Sequence, residues 1–200
     1  SGPSLGGEVV SPETAVSDVN GRVRTVLSSG YRATSVRVIA RVQSTPSVSA
    51  QSTQVQIVGA PPSAGFFSAR PQFLNFSGRV TLGLRNRIGA YVNDRYGNAV
   101  PPGTVVNFLT NGSSVVNPLP TNVEGEAIAT LISEGGNIPP DGIVWVLAST
   151  RGEEAFVDSN GDGVYNEGET FTDIAEPFID YNLNGQYDVG HPYERFIDTN

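Results

Sequence analysis

The chain alternates short apolar or β-branched runs with clusters of Gly, Pro, Asn and Asp, and the spacing of an amphipathic helix is nearly absent. This pattern is typical of many short strands joined by turns. The sequence therefore predicts an all-β fold with eight strands. They are Gly21–Ser28, Ser35–Val42, Gln54–Val58, Phe66–Arg70, Arg87–Asn93, Thr104–Leu109, Ala127–Ile132 and Ile143–Ser149.

Two parts of the chain share one sequence pattern. Asp18–Ser28 matches Asn122–Ile132 position for position, because each has an x-Val-x-Gly turn before a predicted strand. Further along, Val36–Ala40 matches Val144–Ala148, and the two copies are offset by about 105 residues. A period of this length indicates tandem domains rather than a solenoid.

The repeat also indicates domain boundaries. Residues 60–152 carry a front half and the shared rear half of the pattern, whereas residues 1–59 carry the rear half alone. We therefore expect tandem Greek-key sandwiches, the first one incomplete, within a longer array, followed by a loop-rich segment over residues 153–200. Because a half-sandwich exposes its core face and its strand edges, we expect a neighbouring domain, or a second copy through strand exchange, to complete it.

Residues 90–108 carry a family resemblance. They read Ala-Tyr-Val-Asn-Asp-Arg-Tyr-Gly-Asn-Ala-Val-Pro-Pro-Gly-Thr-Val-Val-Asn-Phe, in which a D-x-x-G-N-x-V turn leads into a G-x-x-V-x-F strand. This arrangement resembles bacterial immunoglobulin-like repeats of the invasin and intimin type, over residues 62–150 and, for the rear half, residues 4–59. The resemblance implies immunoglobulin-like sandwiches that act as spacer or adhesive repeats on a bacterial surface, with neighbouring domains of the same array as partners.

The charge of the chain is concentrated at one end. Residues 1–150 carry ten Arg and eight acidic residues, whereas residues 151–200 carry two Arg and twelve acidic residues. Such an acidic segment repels itself unless cations bind it. No basic stripe offers a surface for nucleic acid, and no run of about 18 apolar residues predicts a membrane span. The absence of Cys excludes disulfides and thiolate metal sites.

Residues 158–169 match a twelve-residue calcium loop of the EF-hand type. The expected ligands are the side chains at positions 1, 3, 5 and 12 and the carbonyl at position 7, namely Asp158, Asn160, Asp162, Glu169 and Val164. Gly163 stands where such a loop turns sharply, and Asn166 at position 9 can hold a water. The flanking residues lack helical periodicity, so the loop is similar to dockerin-like calcium loops without the helices.

A second copy of the loop begins 22 residues later. Its expected calcium ligands are Asp180, Asn182, Asn184, Gln186 and Asp188. Position 12 is His191, so the closing carboxylate must come from elsewhere, and Asp173, Glu176 and Glu194 are the candidates. A third copy begins at Phe196-Ile197-Asp198. The alternative is a solvated Asn/Asp/Gly turn cluster, but repetition in register favours calcium binding.

These observations predict a non-catalytic, extracellular structural or adhesive repeat of a bacterial surface protein, made rigid by calcium. The alternative is a calcium-dependent carbohydrate- or protein-binding module that accompanies a larger secreted enzyme or assembly. We expect no catalytic site, because the pattern indicates no partner for His191, the only His. The adjacent Glu153 and Glu154 would point to opposite faces of a strand.

Overall fold

The computed structural model describes residues 6–136 and 138–197. These residues form strands and turns with one short 3-10 helix, which confirms the all-β prediction. The chain divides into two compact units, Ser1–Gly59 and Ala60–Asn200, each with its own sheets. Within the described ranges, no helix has the length and apolar character needed to cross a membrane.

The first unit contains pairs of short antiparallel strands. The six strands are β1 (Val9–Ser11), β2 (Val26–Ser28), β3 (Thr34–Val36), β4 (Ile39–Val42), β5 (Thr45–Gln51) and β6 (Val55–Ile57). β1 pairs with β2, β3 with β6 and β4 with β5, so each sheet has two strands. No residue from 6 to 59 is buried, and apolar side chains such as Ile39, Val48 and Val55 are exposed. The sheets of this unit therefore form no covered core among these residues.

The second unit contains two larger antiparallel sheets. Its nine strands are β7 (Phe67–Pro71), β8 (Arg85–Val92), β9 (Val105–Thr110), β10 (Ser114–Val115), β11 (Leu119–Pro120), β12 (Glu126–Ile132), β13 (Val146–Ser149), β14 (Phe178–Ile179) and β15 (Arg195–Phe196). The 3-10 helix, Ala64–Phe66, precedes β7. One sheet has the order β10-β12-β8-β7 and the other β11-β9-β13, while β14 and β15 form a separate pair.

One hydrophobic core joins the two larger sheets. Its buried members are Ile88, Ala90, Val92, Val100, Val106, Phe108, Ala127, Ala129 and Leu131. Apart from Val100, which lies in the connection before β9, these side chains come from β8 and β12 in one sheet and from β9 in the other, so the two sheets pack face to face. β12 alternates between buried and half-buried positions along its length, as the period of a strand requires. We call these sheets and their connections, over residues 60–152, the two-sheet body.

The turn before β12 shows how local chemistry determines where that strand starts. Asn122 Oδ1 accepts the N–H groups of Glu124 and Glu126 at 2.9 and 3.0 Å, and the Asn122 N–H donates to the Glu126 carbonyl. Gly125 has a φ of 73°, and a Cβ there would collide with the carbonyl oxygen of Val92. The turn therefore requires glycine at this position.

The matching sequence in the first unit forms the same turn. Asp18 Oδ1 accepts the N–H groups of Asn20 and Arg22 at 2.9 and 2.8 Å, and the Asp18 N–H donates to the Arg22 carbonyl. Gly21 has a φ of 74°, close to that of Gly125. Moreover, β1 pairs with β2 as β10 pairs with β12. The two matching stretches of sequence therefore have matching local geometry.

Several strands of the first unit differ from those predicted. The predicted strand Gly21–Ser28 forms a strand only at β2, Val26–Ser28, and its first two residues, Gly21 and Arg22, belong to the turn. The predicted strand Ser35–Val42 is divided into β3 and β4, which pair with β6 and β5 respectively. β5 was not predicted. Its apolar residues, Pro46, Val48 and Ala50, alternate with polar ones as in a strand, but Pro and Ser are also turn signals, and every position of β5 is exposed.

Residues 153–197, which we call the acidic segment, form two loops that belong to the second unit. An isolated bridge between Phe156 and Phe171 closes the first loop, and the pairing of β14 with β15 closes the second. β14 lies beside β13, β15 lies beside β9, and Ile179 of β14 is buried. The base of the second loop is therefore attached to the smaller sheet of the two-sheet body.

Candidate metal centre

The turn after β8 fixes the edge of the two-sheet body that meets the acidic segment. Asp94 is buried, and its Oδ1 atom accepts the N–H groups of Tyr96 and Asn98 at 2.9 and 2.8 Å. Its Oδ2 atom accepts the side-chain amide of Asn98 and the N–H of Ala60, both at 2.9 Å. The Asp-x-x-Gly-Asn turn therefore has a structural role, and it places Arg95 at this edge.

Arg95 joins this turn to the start of the acidic segment. Its Nε and Nη2 atoms donate to the two carboxylate oxygens of Glu153 at 2.7 and 2.5 Å, and its guanidinium carbon lies 4.0 Å from the centroid of the Phe156 ring. The hydrogen bond to Glu153 raises the pKa of Arg95, burial opposes that increase, and the nearby Asp158 carboxylate adds to it. This two-pronged ion pair, stacked on an aromatic ring, holds the base of the first loop against the two-sheet body.

The adjacent glutamates at the start of the acidic segment have separate partners. The Glu153 carboxylate binds Arg95, and the Glu153 N–H donates to the Pro62 carbonyl at 2.7 Å. In contrast, Glu154 Oε1 accepts the N–H of Ile174 at 2.8 Å. Both side chains therefore make contacts that hold the segment together.

Asp158 organises the first loop from its first position. Its Oδ1 atom accepts the N–H groups of Gly161 and Asp162 at 2.7 and 3.2 Å, and its Oδ2 atom accepts the N–H of Gly163 at 2.9 Å. Gly161 and Gly163 have φ values of 75° and 78°, which residues with a Cβ rarely adopt. One carboxylate therefore gathers three consecutive backbone donors, and the two glycines allow the chain to turn around it.

The next donors of the first loop are connected in the same way. Asn160 Oδ1 accepts the N–H of Asp162, and Asp162 Oδ1 accepts the N–H of Val164, each at 2.8 Å. Asn166 Nδ2 donates to Asp162 Oδ2 and to the Val164 carbonyl, each at 2.9 Å. The hydrogen bond from Val164, followed by the one from Asn166, lowers the pKa of Asp162. Asp162 is therefore ionised at neutral pH, as a metal ligand must be.

Glu169 closes the first loop. Its Oε1 atom accepts the N–H of Ser159 at 2.8 Å, and its Oε2 atom accepts the N–H of Asn166 at 3.0 Å. The carboxylate thus links the beginning of the loop to its end. The structure therefore brings the five predicted donors, from Asp158 to Glu169, into one hydrogen-bonded loop.

The second loop repeats this pattern. Asp180 Oδ1 accepts the N–H of Asn184 at 3.1 Å, and Asp180 Oδ2 accepts the N–H of Gly185 at 2.7 Å. Asn182 Oδ1 accepts the N–H of Asn184 at 3.0 Å, and Asn184 Oδ1 accepts the N–H of Gln186 at 2.7 Å. The predicted donors of this loop are therefore also connected to one another. The start of the third predicted loop, from Asp198 onward, lies outside the described residues.

The acidic residue at position 5 and the amide residue at position 9 of the first loop are interchanged in the second loop. In the first loop, Asp162 at position 5 accepts the side-chain amides of Asn160 and Asn166. In the second loop, position 5 is Asn184, and the accepting carboxylate is Asp188 at position 9. Its Oδ2 atom accepts the amides of Asn182 and Asn184 at 2.7 and 3.0 Å. The second loop lacks a carboxylate at position 5, but the Asp188 carboxylate at position 9 supplies the negative charge instead.

Glu194 is the carboxylate that contacts the end of the second loop. Its Oε2 atom accepts the N–H of Asp188 at 2.7 Å. Glu194 is buried, whereas the other two candidates, Asp173 and Glu176, are exposed on the segment between the loops. Glu194, one of the three carboxylates that the sequence leaves open, therefore contacts this loop through its buried side chain.

A pair of phenylalanines and one tyrosine pack at the base of each loop. In the first loop, the Tyr165 ring lies 5.8 Å from the Phe156 ring and 5.5 Å from the Phe171 ring, both edge to face. In the second loop, the Tyr187 ring lies 6.1 Å from the Phe178 ring and 5.1 Å from the Phe196 ring. The sequence signal for these clusters is a tyrosine at position 8 of both loops, which the ligand pattern alone overlooks.

Within residues 6–136 and 138–197, no group of three or more His, Asp or Glu side chains converges as a metal site. In both loops the acidic side chains accept backbone N–H groups, and amide and carbonyl oxygens separate them along the chain. The candidate centre is therefore a mixed set of carboxylate, amide and carbonyl oxygens.

A groove of about 400 Å³ lies on the outer face of β7, β8 and β12. Its lining includes Arg70, Arg87, Tyr91 and Glu126, and Arg70 Nη2 donates to the Tyr91 hydroxyl at 2.9 Å. Small-molecule sites are lined mostly by apolar side chains, so this charged lining does not make the groove a second candidate site.

Comparison of the chain with protein-family models, with curated proteins and with solved structures returns no match.

Proposed function

We propose that this chain is a non-catalytic structural or adhesive repeat of an extracellular bacterial surface protein, and that calcium makes its acidic segment rigid. The observation that carries the proposal is the matched hydrogen bonding of the two loops. Asp158 and Asp180 each gather backbone N–H groups from the residues four and five positions later, so an ordered set of oxygen donors recurs after 22 residues. If these residues were only solvated turns, there would be no reason for the same set of donors to recur with the same hydrogen bonds.

The donor set of the first loop fits calcium. Calcium takes six to eight hard oxygen ligands, and the side chains of Asp158, Asn160, Asp162 and Glu169 would supply them together with the Val164 carbonyl and water. A carboxylate has about four lone-pair sites, so Glu169 keeps acceptor capacity beyond its two N–H bonds. Zinc is disfavoured because the chain has no Cys and one His, and magnesium demands a stricter octahedron.

Calcium would act on the junction between the acidic segment and the two-sheet body. Arg95 holds the base of the first loop, and β14 and β15 lie beside the smaller sheet. An ion that binds only the folded loops neutralises part of their charge and stabilises the fold by about 2.7 kcal/mol at 100 times its Kd. The consequence is a stiff connection, which is what a spacer repeat requires.

The affinity of such loops, the repeated turn and the family resemblance support the extracellular, repeated and bacterial parts of the proposal. Loops of this class in extracellular modules bind calcium at roughly 10⁻⁴–10⁻³ M, an affinity that suits the calcium-rich medium outside cells. The matching turns at Asp18 and Asn122 support an array of similar domains. The resemblance of residues 90–108 to invasin- and intimin-type repeats supports a bacterial surface role and an immunoglobulin-like arrangement of the two sheets.

Calcium removal tests the proposal. At a calcium concentration 100 times Kd, the melting temperature of the full chain should exceed that in chelator by roughly 5–10 °C for each ion bound, because each ion contributes about 2.7 kcal/mol and a ΔΔG of 1 kcal/mol shifts a domain of this size by about 2–4 °C. Magnesium at the same concentration should have a much smaller effect. Chelation should also increase protease cleavage beyond Gly152, which mass spectrometry of the fragments detects.

Two variants give the matched control. Glu169→Gln removes the carboxylate that closes the first loop and should reduce the calcium-dependent shift in melting temperature. Glu167→Gln removes one charge from an exposed position of the same loop and should leave the shift unchanged. If calorimetry detects no calcium binding and the melting temperature does not respond to chelator, the proposal is wrong.

A further inference from the structure

We propose that Glu194 is the carboxylate that closes the second calcium site, so that this loop runs over fifteen residues, from Asp180 to Glu194. The inference rests on the proposed calcium binding and deepens it. It supplies the ligand that an ordinary twelve-residue loop lacks here, because His191 stands at position 12. The ion is a divalent cation that prefers oxygen ligands.

Glu194 makes the contact that Glu169 makes in the first loop. Glu169 Oε2 accepts the N–H of Asn166 at position 9, at 3.0 Å. Glu194 Oε2 accepts the N–H of Asp188, which is position 9 of the second loop, at 2.7 Å. The two carboxylates therefore make the same contact with position 9, although they differ in sequence spacing and Glu169 Oε1 also accepts the N–H of Ser159.

The bases of the loops show where the spacing changes. Phe171 comes two residues after Glu169, and Phe196 comes two residues after Glu194. Each of these phenylalanines pairs across the base with the phenylalanine that precedes its loop, in one case through a β-bridge and in the other through β14 and β15. The three additional residues therefore lie between Asp188 and Glu194, and the closing end of the loop is otherwise the same.

Glu194 also has an oxygen that lacks a partner. Its side chain is fully buried, and among the described residues its Oε1 atom has no hydrogen-bond partner. The nearest cationic candidate is His191, whose Nδ1 lies 3.9 Å away. That nitrogen is too far from Glu194 Oε1 for a hydrogen bond, and it lies 3.4 Å from the N–H of Tyr193. A buried carboxylate oxygen without a donor is costly, and a bound cation is the partner that relieves the cost.

The charge of the second loop agrees with this assignment. With Glu194 included, three carboxylates accept hydrogen bonds within each loop, which are Asp158, Asp162 and Glu169 in the first and Asp180, Asp188 and Glu194 in the second. The side chains of the three-residue extension pack nearby, since the Tyr181 ring lies 5.5 Å from His191 and 5.2 Å from Tyr193. The extension also lies beside this carboxylate, since His191 Nδ1 is 3.9 Å from Glu194 Oε1, and Glu194 is buried whereas Glu169 is half-buried.

Calcium stoichiometry tests the assignment. Isothermal titration of the full chain with calcium chloride should give two ions for the unmodified protein and for the Glu167→Gln control. Glu194→Gln and Glu169→Gln should each give one. If the unmodified protein binds no calcium, calcium binding itself is wrong. If it binds two ions and Glu194→Gln also binds two with unchanged affinity, only the role of Glu194 is wrong.

A second variant decides the matter if Glu194→Gln does not fold. Glu194→Asp keeps the charge but shortens the side chain, so it should raise the Kd of one site by about tenfold or more, with an unchanged near-ultraviolet circular dichroism spectrum in calcium. Unchanged affinity of Glu194→Asp at both sites would overturn the assignment. If Glu194 had only a structural role, the Glu194→Gln variant, in which the side chain keeps its size, should still bind two calcium ions. We expect it to bind one.

Discussion

The two units contain the same turn but differ completely in burial. Asp18 and Asn122 accept the same two backbone N–H groups, and the glycines that follow have nearly the same φ. After the turn, however, β12 buries every second side chain, whereas β2 buries none. A turn needs only nearby hydrogen-bond partners, but burial needs a second layer, and in these residues only the second unit has one.

The largest expected difference between the units concerns one matched pair of leucines. Leu131 in β12 is 3% exposed, and its counterpart Leu27 in β2 is half-buried. Leu131→Ala should lower the free energy of unfolding of its unit by about 2–5 kcal/mol, because it leaves a cavity in the core. Leu27→Ala should cost less than about 1 kcal/mol, since the position is already partly in water.

Urea denaturation followed by circular dichroism measures both changes. Similar losses for the two leucines would contradict the comparison, because they would mean that a layer covers β2 in solution. Sedimentation equilibrium of the same samples would then show whether a second copy of the chain supplies that layer.

A smaller effect should follow from the attachment of the acidic segment. Arg95 and Glu153 are 17% and 21% exposed at their side chains, so their ion pair is largely shielded from water. Arg95→Ala should lower the free energy of unfolding by about 1–3 kcal/mol, through loss of the paired hydrogen bonds and of the contact with Phe156.

Arg87→Ala is the control, because it removes an exposed arginine from β8 and should change stability by less than about 0.5 kcal/mol. Equal effects of the two substitutions in urea denaturation would show that Arg95 does not hold the segment in place.

The smallest loss of stability is expected from substitutions in the turn that both units contain. Asp18→Ala and Asn122→Ala each remove the side chain that accepts two N–H groups in the turn. Each should destabilise its own turn by about 0.5–1.5 kcal/mol, the usual value of such hydrogen bonds. Hydrogen exchange at Arg22 and Glu126 measures this locally, and a loss of protection at only one of them would show that the turns are not equivalent.

The accuracy of the strand predictions follows the burial of the strands. The predicted strands Thr104–Leu109 and Ala127–Ile132 agree with β9 and β12 to within one residue at each end, because a core on one face imposes a clear alternation. In the first unit, Ser35–Val42 reads as one strand but forms two, since its apolar residues do not reveal which strand each half pairs with. Pairing depends on distant residues, which a local pattern does not contain.

The candidate site divides in the same way. The order of donors from Asp158 to Asp162 follows from the spacing of Asp, Asn and Gly, because the hydrogen bonds that Asp158 and Asn160 accept join residues within five positions. At position 12 of the second loop, local spacing places His191, so the sequence left three carboxylates open as the closing group, Asp173, Glu176 and Glu194. The carboxylate that contacts the loop there is Glu194, three residues further along.

Short-range chemistry thus accounts for the all-β class, the two matching turns and the sequence of oxygen donors in each loop, since all of these arise between near neighbours in the chain. Packing between distant segments accounts for the rest. It determines which faces are covered, and the pairing of Phe178 with Phe196 determines where the second loop closes. The physical reason is that three additional residues change the sequence spacing between the first donor of the loop and its closing carboxylate. The paired base of the loop, in contrast, still brings that carboxylate next to position 9.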